Sequence, residues 1–280
     1  MTDDTPFHAL PDFGVVCIEG QDALAFAQAQ FMSDVASLAD AHWHWSGWLT
    51  PKGRVIALFA ALRVDGQTLW LVLPDADASD FAARLQRFVF RSKLRVGVPG
   101  GLRLSGAFTA PAQARGAQAA ITGTDCTELD LGGDGVARTL RISTCPAGTD
   151  PEASARWVQA DMVHGLPRLP PAQSEQWTPQ QLSLDRLAAY SVKKGCYPGQ
   201  EIVARTHFLG QAKRGLVLLE STAPLESGSE VHEGGIAIGK LVCASAGLAL
   251  SVLPLDRDFA GLSVAGQSVA ARPLNTGLAR

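Results

Sequence analysis

The sequence predicts an α+β fold of antiparallel sheets with flanking helices and a small all-β unit at its C-terminal end. Residues 42–48 read HWHWSGW and alternate in polarity, which is the period of a β-strand. Two strand-like runs within residues 55–73 flank an Asp-Gly turn, a pattern that favours a hairpin. From residue 216 onward short apolar runs recur between glycine turns, which is typical of a small barrel or sandwich.

Two segments have helical periodicity. Asp22 can cap a helix that begins after it, with apolar positions at Leu24, Phe26 and Phe31. Residues 79–92 repeat apolar side chains at spacings of three and four, so we expect a second helix there.

Other parts of the chain have weaker patterns. Residues 146–181 contain six of the sixteen prolines, and we expect a long connection rather than a packed element. Residues 97–150 are rich in Gly, Ala and Thr, and their strands cannot be placed from periodicity. We expect the tail after Pro273 to be loose.

The overall composition excludes some classes of protein. The chain has 280 residues, of which 46% are hydrophobic, enough for two or three domains. A net charge of -3 gives no general attraction to nucleic acid, so stable binding is not expected without a local basic patch. No apolar run reaches the length of a membrane span, and the opening residues MTDDTPF do not resemble a secretory signal. We therefore expect a cytoplasmic protein.

Five cysteines are scattered along the chain without a CxxC pair or zinc-finger spacing. Four of them stand in apolar or Ser/Thr-rich surroundings, and we expect small buried side chains in a reducing compartment. These four are Cys17, Cys126, Cys145 and Cys243.

The histidines of the predicted strand are weak evidence for a metal site. His42 and His44 share one face and no third ligand accompanies them, so we expect both to be exposed. Trp43 and Trp45 on the opposite face are expected in the core.

The segment from residue 190 to 215 carries the strongest functional signal. It reads YSVKKGCYPGQEIVARTHFLGQAKRG and holds three of the six lysines in the chain. Lys193 and Lys194 place Cys196 in a positive field, which favours the thiolate, the form that acts as nucleophile or metal ligand. Glycines on both sides of the thiol allow a tight turn. Short basic turns are also common as solvated connections, so the pattern nominates Cys196 without naming its chemistry.

The run KGCYPGQE, residues 194–201, resembles the signature of the YgfZ family, which includes mitochondrial iron–sulfur assembly factors. The similarity extends to TPQQLSLD at 178–185 and to IVART at 202–206. It also includes G-x-D-A at 20–23 and Q-x-x-F-x-S-D-V at 28–35.

This resemblance implies the fold of the glycine-cleavage T-protein, a cloverleaf of three domains around a central channel that holds tetrahydrofolate. The first α+β domain would combine residues 1–45 with 100–165. A second, ferredoxin-like α+β domain would combine residues 46–99 with 166–208. Residues 209–280 would form the C-terminal β-barrel.

The resemblance also implies a function and a set of residues. Members of the family support assembly or repair of iron–sulfur clusters in client enzymes, including enzymes that thiolate tRNA. Cys196 would then be the key residue and a metal ligand, with Lys194 beside it as the second catalytic candidate. Folate-binding candidates are Asp185, Tyr197, Gln200, Glu201, Arg205 and Lys213.

If folate binds, Arg205 and Lys213 are candidates to hold the carboxylates of its glutamate tail, because cationic side chains bind carboxylates. The alternative is that both are ordinary surface residues. A cluster needs several ligands and this chain offers one obvious thiol. A transient cluster shared with an A-type carrier, a client enzyme or glutathione is therefore favoured over a permanent one.

The same fold supports folate-dependent aminomethyltransferases, which are the alternative. T-proteins carry a G-G-V/I-x-D-D run that aligns with residues 53–58 of this chain. Ala57 and Leu58 replace both carboxylates and cannot accept a proton, so the T-protein reaction would need another acid such as Asp12 or Asp65. A scaffold without ligand chemistry is a third class, and it would leave Cys196 without a role.

Overall fold

A computed structural model describes residues 7–123, 125–210 and 212–280 of the chain. Within these ranges the strands form three sheets with antiparallel pairing, and elements are numbered in chain order. The residues MTDDTP, on which part of the localisation prediction depends, lie outside the described ranges. Over these same ranges, no helix has the length and apolar character that a membrane span requires.

The first sheet carries two helices on one face, and we call it the helix-covered sheet. Its strand order is β3 (His42–Leu49), β4 (Val55–Asp65), β5 (Thr68–Leu73), β2 (Gly14–Glu19) and β6 (Arg95–Gly97). Helices α1 (Ala23–Gln30) and α2 (Ala78–Gln86) bury Phe26 and Phe81 together with Phe59 of β4. Trp43 and Trp45 belong to a second core cluster, as their alternation predicts.

The predicted strands and hairpin of this sheet are confirmed to within a residue or two. The predicted second helix is shorter than expected and ends at Gln86, so Phe88 lies beyond it. Asp77 caps that helix by accepting a hydrogen bond from the Asp80 amide at 2.8 Å. Asp22 stands at the start of α1, but its carboxylate accepts from the Lys93 amide at 2.7 Å instead of capping the helix.

The second sheet comes from residues near the N-terminal end and from 103–143. Its strand order is β1 (His8–Ala9), β7 (Arg103–Ala107), β10 (Thr139–Ser143), β9 (Cys126–Asp130) and β8 (Ala120–Thr122). Gly106 of β7 is required here, because a Cβ at this position would lie 2.5 Å from the Trp157 ring.

Trp157 belongs to α3 (Pro151–Val163), which corrects the expectation that residues 146–181 are a connection only. Pro151 stands at the first helical position, where a missing amide proton costs nothing. The Asp150 side chain caps the helix by accepting from the Ala153 amide at 3.0 Å. The many prolines of residues 146–181 therefore include one at the start of a helix as well as those in loops.

The third sheet is the nearly closed C-terminal barrel, as the sequence predicted. Its strands run in the order β16 (Gln267–Ser268), β15 (Leu262–Val264), β12 (Glu230–Glu233), β13 (Ile236–Ser245), β14 (Leu248–Pro254), β11 (Arg214–Glu220) and β17 (Ala270–Arg272).

The C-terminal tail is packed, contrary to expectation. Leu278 is 1% exposed, and its carbonyl accepts a hydrogen bond from Trp45 Nε1 at 2.8 Å. Arg280 Nη2 donates to the Asp130 carbonyl at 2.7 Å. The tail supplies the hydrogen-bond acceptor for the buried Trp45 indole N–H.

The sheets change at a different place from the expected domain boundaries. Strand β2 lies within residues 1–45, and β3 begins there and continues to Leu49. Both strands pair with strands of residues 46–99. The short turn at 50–54 makes β3 and β4 a hairpin, which keeps both in one sheet. Residues 175–177 join this sheet through Val55, whose amide donates to the Trp177 carbonyl at 2.8 Å. The division into three domains itself stays a prediction.

Candidate functional site

The KGCYPG residues form a loop at 194–199 that leads into α4 (Gln200–Leu209), and we call it the motif loop. Its side chains differ sharply in exposure. Cys196 is exposed, whereas Lys194 and Tyr197 on either side of it are buried at 7% and 6% exposure. The thiol therefore stands out from a loop whose neighbouring side chains are held inside the protein.

Lys194 anchors the motif loop on the C-terminal end of α1. Its Nζ donates to the carbonyls of Gln28 and Phe31 at 2.5 Å and to that of Ser33 at 2.8 Å. These three bonds use all three ammonium protons. A cation is also favoured at a helix C-terminus. The sequence predicted that Lys193 and Lys194 both lie near the Cys196 thiol. In the structure the Lys194 ammonium is hydrogen-bonded at the end of α1, and only Lys193 of the two is exposed.

A buried polar cluster lies beneath this anchor. Ser33 Oγ donates to Ser46 Oγ at 2.6 Å and is 2.8 Å from His44 Nε2. Burial lowers the pKa of Lys194 to about 8, although Asp34 opposes the shift. Burial also lowers the pKa of His44 to about 4, opposed by Asp34 and reinforced by Lys194. His44 is therefore neutral at physiological pH.

The position of His44 corrects a prediction. Both His42 and His44 were expected to be exposed, and both are half-buried. The face of β3 opposite Trp43 and Trp45 is covered by the residues that follow α1, including Ser33. Alternation alone cannot reveal that both faces of a strand are covered.

Tyr197 and Gln200 complete the internal bonding of the motif loop. The Tyr197 hydroxyl donates to the Ser191 carbonyl at 3.1 Å, and its ring lies 4.9 Å from Lys194 Nζ. Burial raises the pKa of this tyrosine. Gln200 Nε2 donates to the Lys194 carbonyl at 3.1 Å. Both side chains, expected to contact folate, are used by the loop itself.

Two glycines bring a basic turn against the start of α4. Gly199 has φ +79°, and a Cβ there would lie 2.6 Å from the Thr50 carbonyl. A Cβ on Gly53 would lie 2.8 Å from Ile202 Cβ. Lys52, in the turn at 50–54, is therefore a neighbour of the motif loop's end.

The remaining predicted residues lie on the surface. Asp185 is exposed on a 3₁₀ turn at Leu184–Leu187. Glu201 and Arg205 are exposed on α4. Lys213 is exposed before β11 and lines a cavity of about 270 Å³. Thus only part of the predicted set surrounds Cys196.

A larger cavity lies between the helix-covered sheet, α3 and the barrel, and together with a neighbouring cavity we call it the central cleft. It has about 680 Å³ and is lined by Phe13 and Asp75 from the helix-covered side, Arg168, and Cys243 from the barrel. A cavity of about 450 Å³ shares the Asp75 wall and includes Ala57.

Asp75 is the most unusual group in this cleft, and sequence reasoning missed it. Burial raises its pKa, while Arg168 and the Leu169 amide oppose the shift. The Leu169 amide donates to its carboxylate, and Arg168 donates to Asp161 Oδ2 at 2.5 Å. Asp75 follows β5 within an ordinary turn sequence, so no local signal marks it.

The other thiols divide by exposure. Cys243 is buried with its pKa raised to about 12, and Cys17 is half-buried with its pKa raised to about 11, both chiefly by burial. Cys126 is also half-buried, but Cys145 is exposed and was wrongly expected inside. Among the described residues, no three His, Cys, Asp or Glu side chains are grouped so as to hold a metal ion.

Comparisons with known proteins identify the family. No family model matches the chain. It is 30% identical over 250 residues to the tRNA-modifying protein YgfZ of Klebsiella pneumoniae (strain 342), covering 81% of this chain and 73% of that protein. It is 27% identical over 230 residues to the tRNA-modifying protein YgfZ of Vibrio vulnificus (strain CMCP6), covering 76% and 69%.

A solved structure confirms the predicted fold class. The glycine cleavage system aminomethyltransferase T from Bartonella henselae matches with a TM-score of 0.72 over 98% of this chain and 85% of that chain, at 14% sequence identity. The α+β, T-protein-like architecture predicted from the sequence is therefore confirmed. The sequence identity of 30% over 81% of its length means that the chain belongs to the YgfZ family.

Proposed function

We propose that this protein binds a reduced folate and supports assembly or repair of iron–sulfur clusters in client enzymes, with Cys196 as the functional thiol. The observation that carries the proposal is the exposed Cys196 on a loop anchored by buried Lys194 and Tyr197. Such a loop presents one thiol to another molecule in a fixed position. A thiolate in that position can ligate iron or act as a nucleophile.

The cluster would be shared cargo. Iron–sulfur clusters are usually held by four protein ligands, and Cys196 supplies one. An A-type carrier, a client enzyme or glutathione would supply the others. Lys193 is exposed three residues before the thiol. Because relatives are named tRNA-modifying proteins, we propose that clients in the cytoplasm include tRNA-thiolating enzymes.

The central cleft is the proposed folate site. The volume of its larger cavity, about 680 Å³, falls within the range of small-molecule sites. The half-buried Asp75 carboxylate suits the N–H donors of a pterin edge, and Phe13 offers an aromatic contact. Folate, when bound, would supply one-carbon or redox chemistry. Arg205 and Lys213 are exposed, so they could bind only a glutamate tail that leaves the cleft.

Anaerobic cluster reconstitution tests the role of Cys196. Wild type and Cys196→Ser would be compared with and without an A-type carrier and glutathione, by visible absorption and iron content. Cys145→Ser is the matched control, since Cys145 is the other exposed thiol among the described residues. We expect a cluster in wild type and Cys145→Ser only with a co-ligand, and none in Cys196→Ser. Equal cluster loading of Cys196→Ser would contradict the proposal.

One observation keeps folate-dependent aminomethyl transfer as a second candidate. Ala57 and Leu58 are buried and carry no carboxylate, but Asp12, Asp75 and Asp77 line the central cleft. A carboxylate there could replace the missing acid. Ammonia release from an added aminomethyl donor, with transfer of its carbon to tetrahydrofolate, would favour this candidate if it is lost in Asp12→Asn or Asp75→Asn and kept in Cys196→Ser.

A further inference from the structure

The exposed phenylalanines of the described chain occur in basic segments. Phe88, Phe90 and Phe208 are 51%, 89% and 69% exposed. The first two lie in QRFVFRSK at 86–93, and the third lies in ARTHF at 204–208. Exposed aromatic side chains between cationic ones are unusual on a surface that only faces solvent.

A groove beside the motif loop gathers part of this pattern, and we call it the aromatic-basic groove. It has about 630 Å³ and combines an apolar floor with a cationic rim. The floor includes Trp48, whose ring packs edge-on against Phe88 at 5.5 Å between centroids. The other apolar lining residues are Leu49, Ile56 and Pro198, and the cationic ones are Lys52, Arg54, Arg84 and Arg87.

The groove is lined by more basic than acidic side chains. Glu175 is the one acid in its lining, and it already pairs with Arg84 at 2.7 Å. Lys52 and Arg87 form no ion pair with any acid that the structure describes. Two cations therefore stand free beside an exposed aromatic ring.

The cationic surface continues past the groove. Arg54 also lines the 270 Å³ cavity, together with Thr206, Lys213 and Arg214. The two cavities thus share Arg54 in their linings. Glu175 is the one acid that lines them, while the acid of α4, Glu201, is exposed.

We infer that the aromatic-basic groove binds single-stranded nucleic acid. A base would stack on the Phe88 ring, and phosphates would contact Lys52, Arg54 and Arg87. Proteins that bind single strands combine these two features, a positive groove for the backbone and aromatic faces for the bases. An acidic peptide would match the charge but would leave the aromatic face without a planar partner. The net charge of -3 does not oppose this, because a local basic patch is what such binding requires.

This inference goes beyond the proposed function and does not depend on Cys196. RNA and DNA share the phosphates and the base faces, so the groove chemistry alone fits either. Binding can be measured by fluorescence anisotropy of the full chain with labelled RNA and DNA strands of one sequence, about 16 nucleotides long. Binding of either strand supports the inference, and the ratio of the two Kd values identifies the ligand.

Paired variants test the geometry. Phe88→Ala should weaken Kd by about tenfold, as expected for loss of one stacked base. Lys52→Ser should reduce the slope of log K against log salt by about 0.7, as expected for loss of one phosphate contact. Ile236→Ala and Lys240→Ser, which change exposed residues of the barrel, should bind like wild type. Circular dichroism of all four variants checks that they are folded.

Three results would overturn the inference. One is that wild type binds neither strand at low salt. Another is that folded Phe88→Ala and Lys52→Ser bind as wild type does. The third is that a poly-glutamate peptide displaces the oligonucleotide at an equal concentration of charge, which would identify the groove as a site for acidic protein segments.

Discussion

Hydrogen bonds from single side chains to the C-terminal end of α1 explain why the motif loop has a fixed position. Lys194 crosses from the loop to three carbonyls of that helix end, and Ser33 links the same place to His44. Removing a buried charged donor leaves its acceptors without partners, which is more costly than losing an exposed ion pair. Lys194, two residues before Cys196, is thus an anchor for the loop.

The lowered pKa of His44 predicts that the protein loses stability in acid. Its pKa is lowered from 6.5 to about 4, so between these values the unfolded chain binds more protons than the folded one. Falling pH therefore favours unfolding, and this contribution to stability is complete above pH 6.5. We expect wild type to lose about 3 kcal/mol more than His44→Asn between pH 6.5 and 4, in urea titrations.

The control for this titration is His232→Asn. His232 is paired with Glu230 at 3.6 Å on the barrel. That variant should keep the acid sensitivity of wild type. Equal pH slopes for wild type and His44→Asn would show that the buried histidine does not contribute.

At the scale of elements, the contact between the turn at 50–54 and α4 decides where the motif loop ends. Gly199 adopts φ +79° there, and its missing Cβ makes room for the Thr50 carbonyl. The other glycine beside Cys196 differs, because a Cβ on Gly195 would meet nothing within 4 Å. The two glycines of the motif therefore have different structural roles.

Gly199→Ala should destabilise the protein by about 1–3 kcal/mol, since it adds both a left-handed backbone penalty and a steric clash. It should also raise the rate at which a maleimide reacts with Cys196, because the loop would be released from the turn. Gly195→Ala should change both quantities little. Similar urea midpoints for the two variants would contradict this assignment.

Local patterns predicted the elements that depend on neighbouring residues. The hairpin of β4 and β5 follows from two short apolar runs around an Asp-Gly turn. Helix α3 was missed because Pro151 looks like a breaker and is instead a favourable first residue. Asp75 and Arg168 of the central cleft could not be predicted, because they lie far apart in sequence and meet only when the sheets pack.

At the scale of the whole molecule, the C-terminal tail connects two of the three sheets. Leu278 accepts from Trp45 of the helix-covered sheet, and Arg280 donates to Asp130 of the second sheet. The last residues after the barrel therefore contribute to the core between the other two sheets.

Leu278→Ala tests this connection. Leu278 is 1% exposed, so its truncation should lower the free energy of unfolding by about 2–5 kcal/mol. Leu255→Ala is the matched control, because Leu255 is 53% exposed and should cost less than about 0.5 kcal/mol. Equilibrium unfolding in urea, followed by tryptophan fluorescence, measures both. An unchanged midpoint in Leu278→Ala would mean that the tail does not stabilise the fold.

The buried ammonium of Lys194 also makes the motif loop accessible to covalent footprinting. Reagents that acylate amines modify exposed lysines, and the other five lysines of the chain are exposed. Lys194 can react only after its three bonds to the carbonyls of Gln28, Phe31 and Ser33 have broken. The ratio of its acylation rate to that of Lys193 therefore reports how often the loop lifts from the helix end. A partner that binds over Cys196 would be detected as a slower reaction at Lys194, two residues before the thiol.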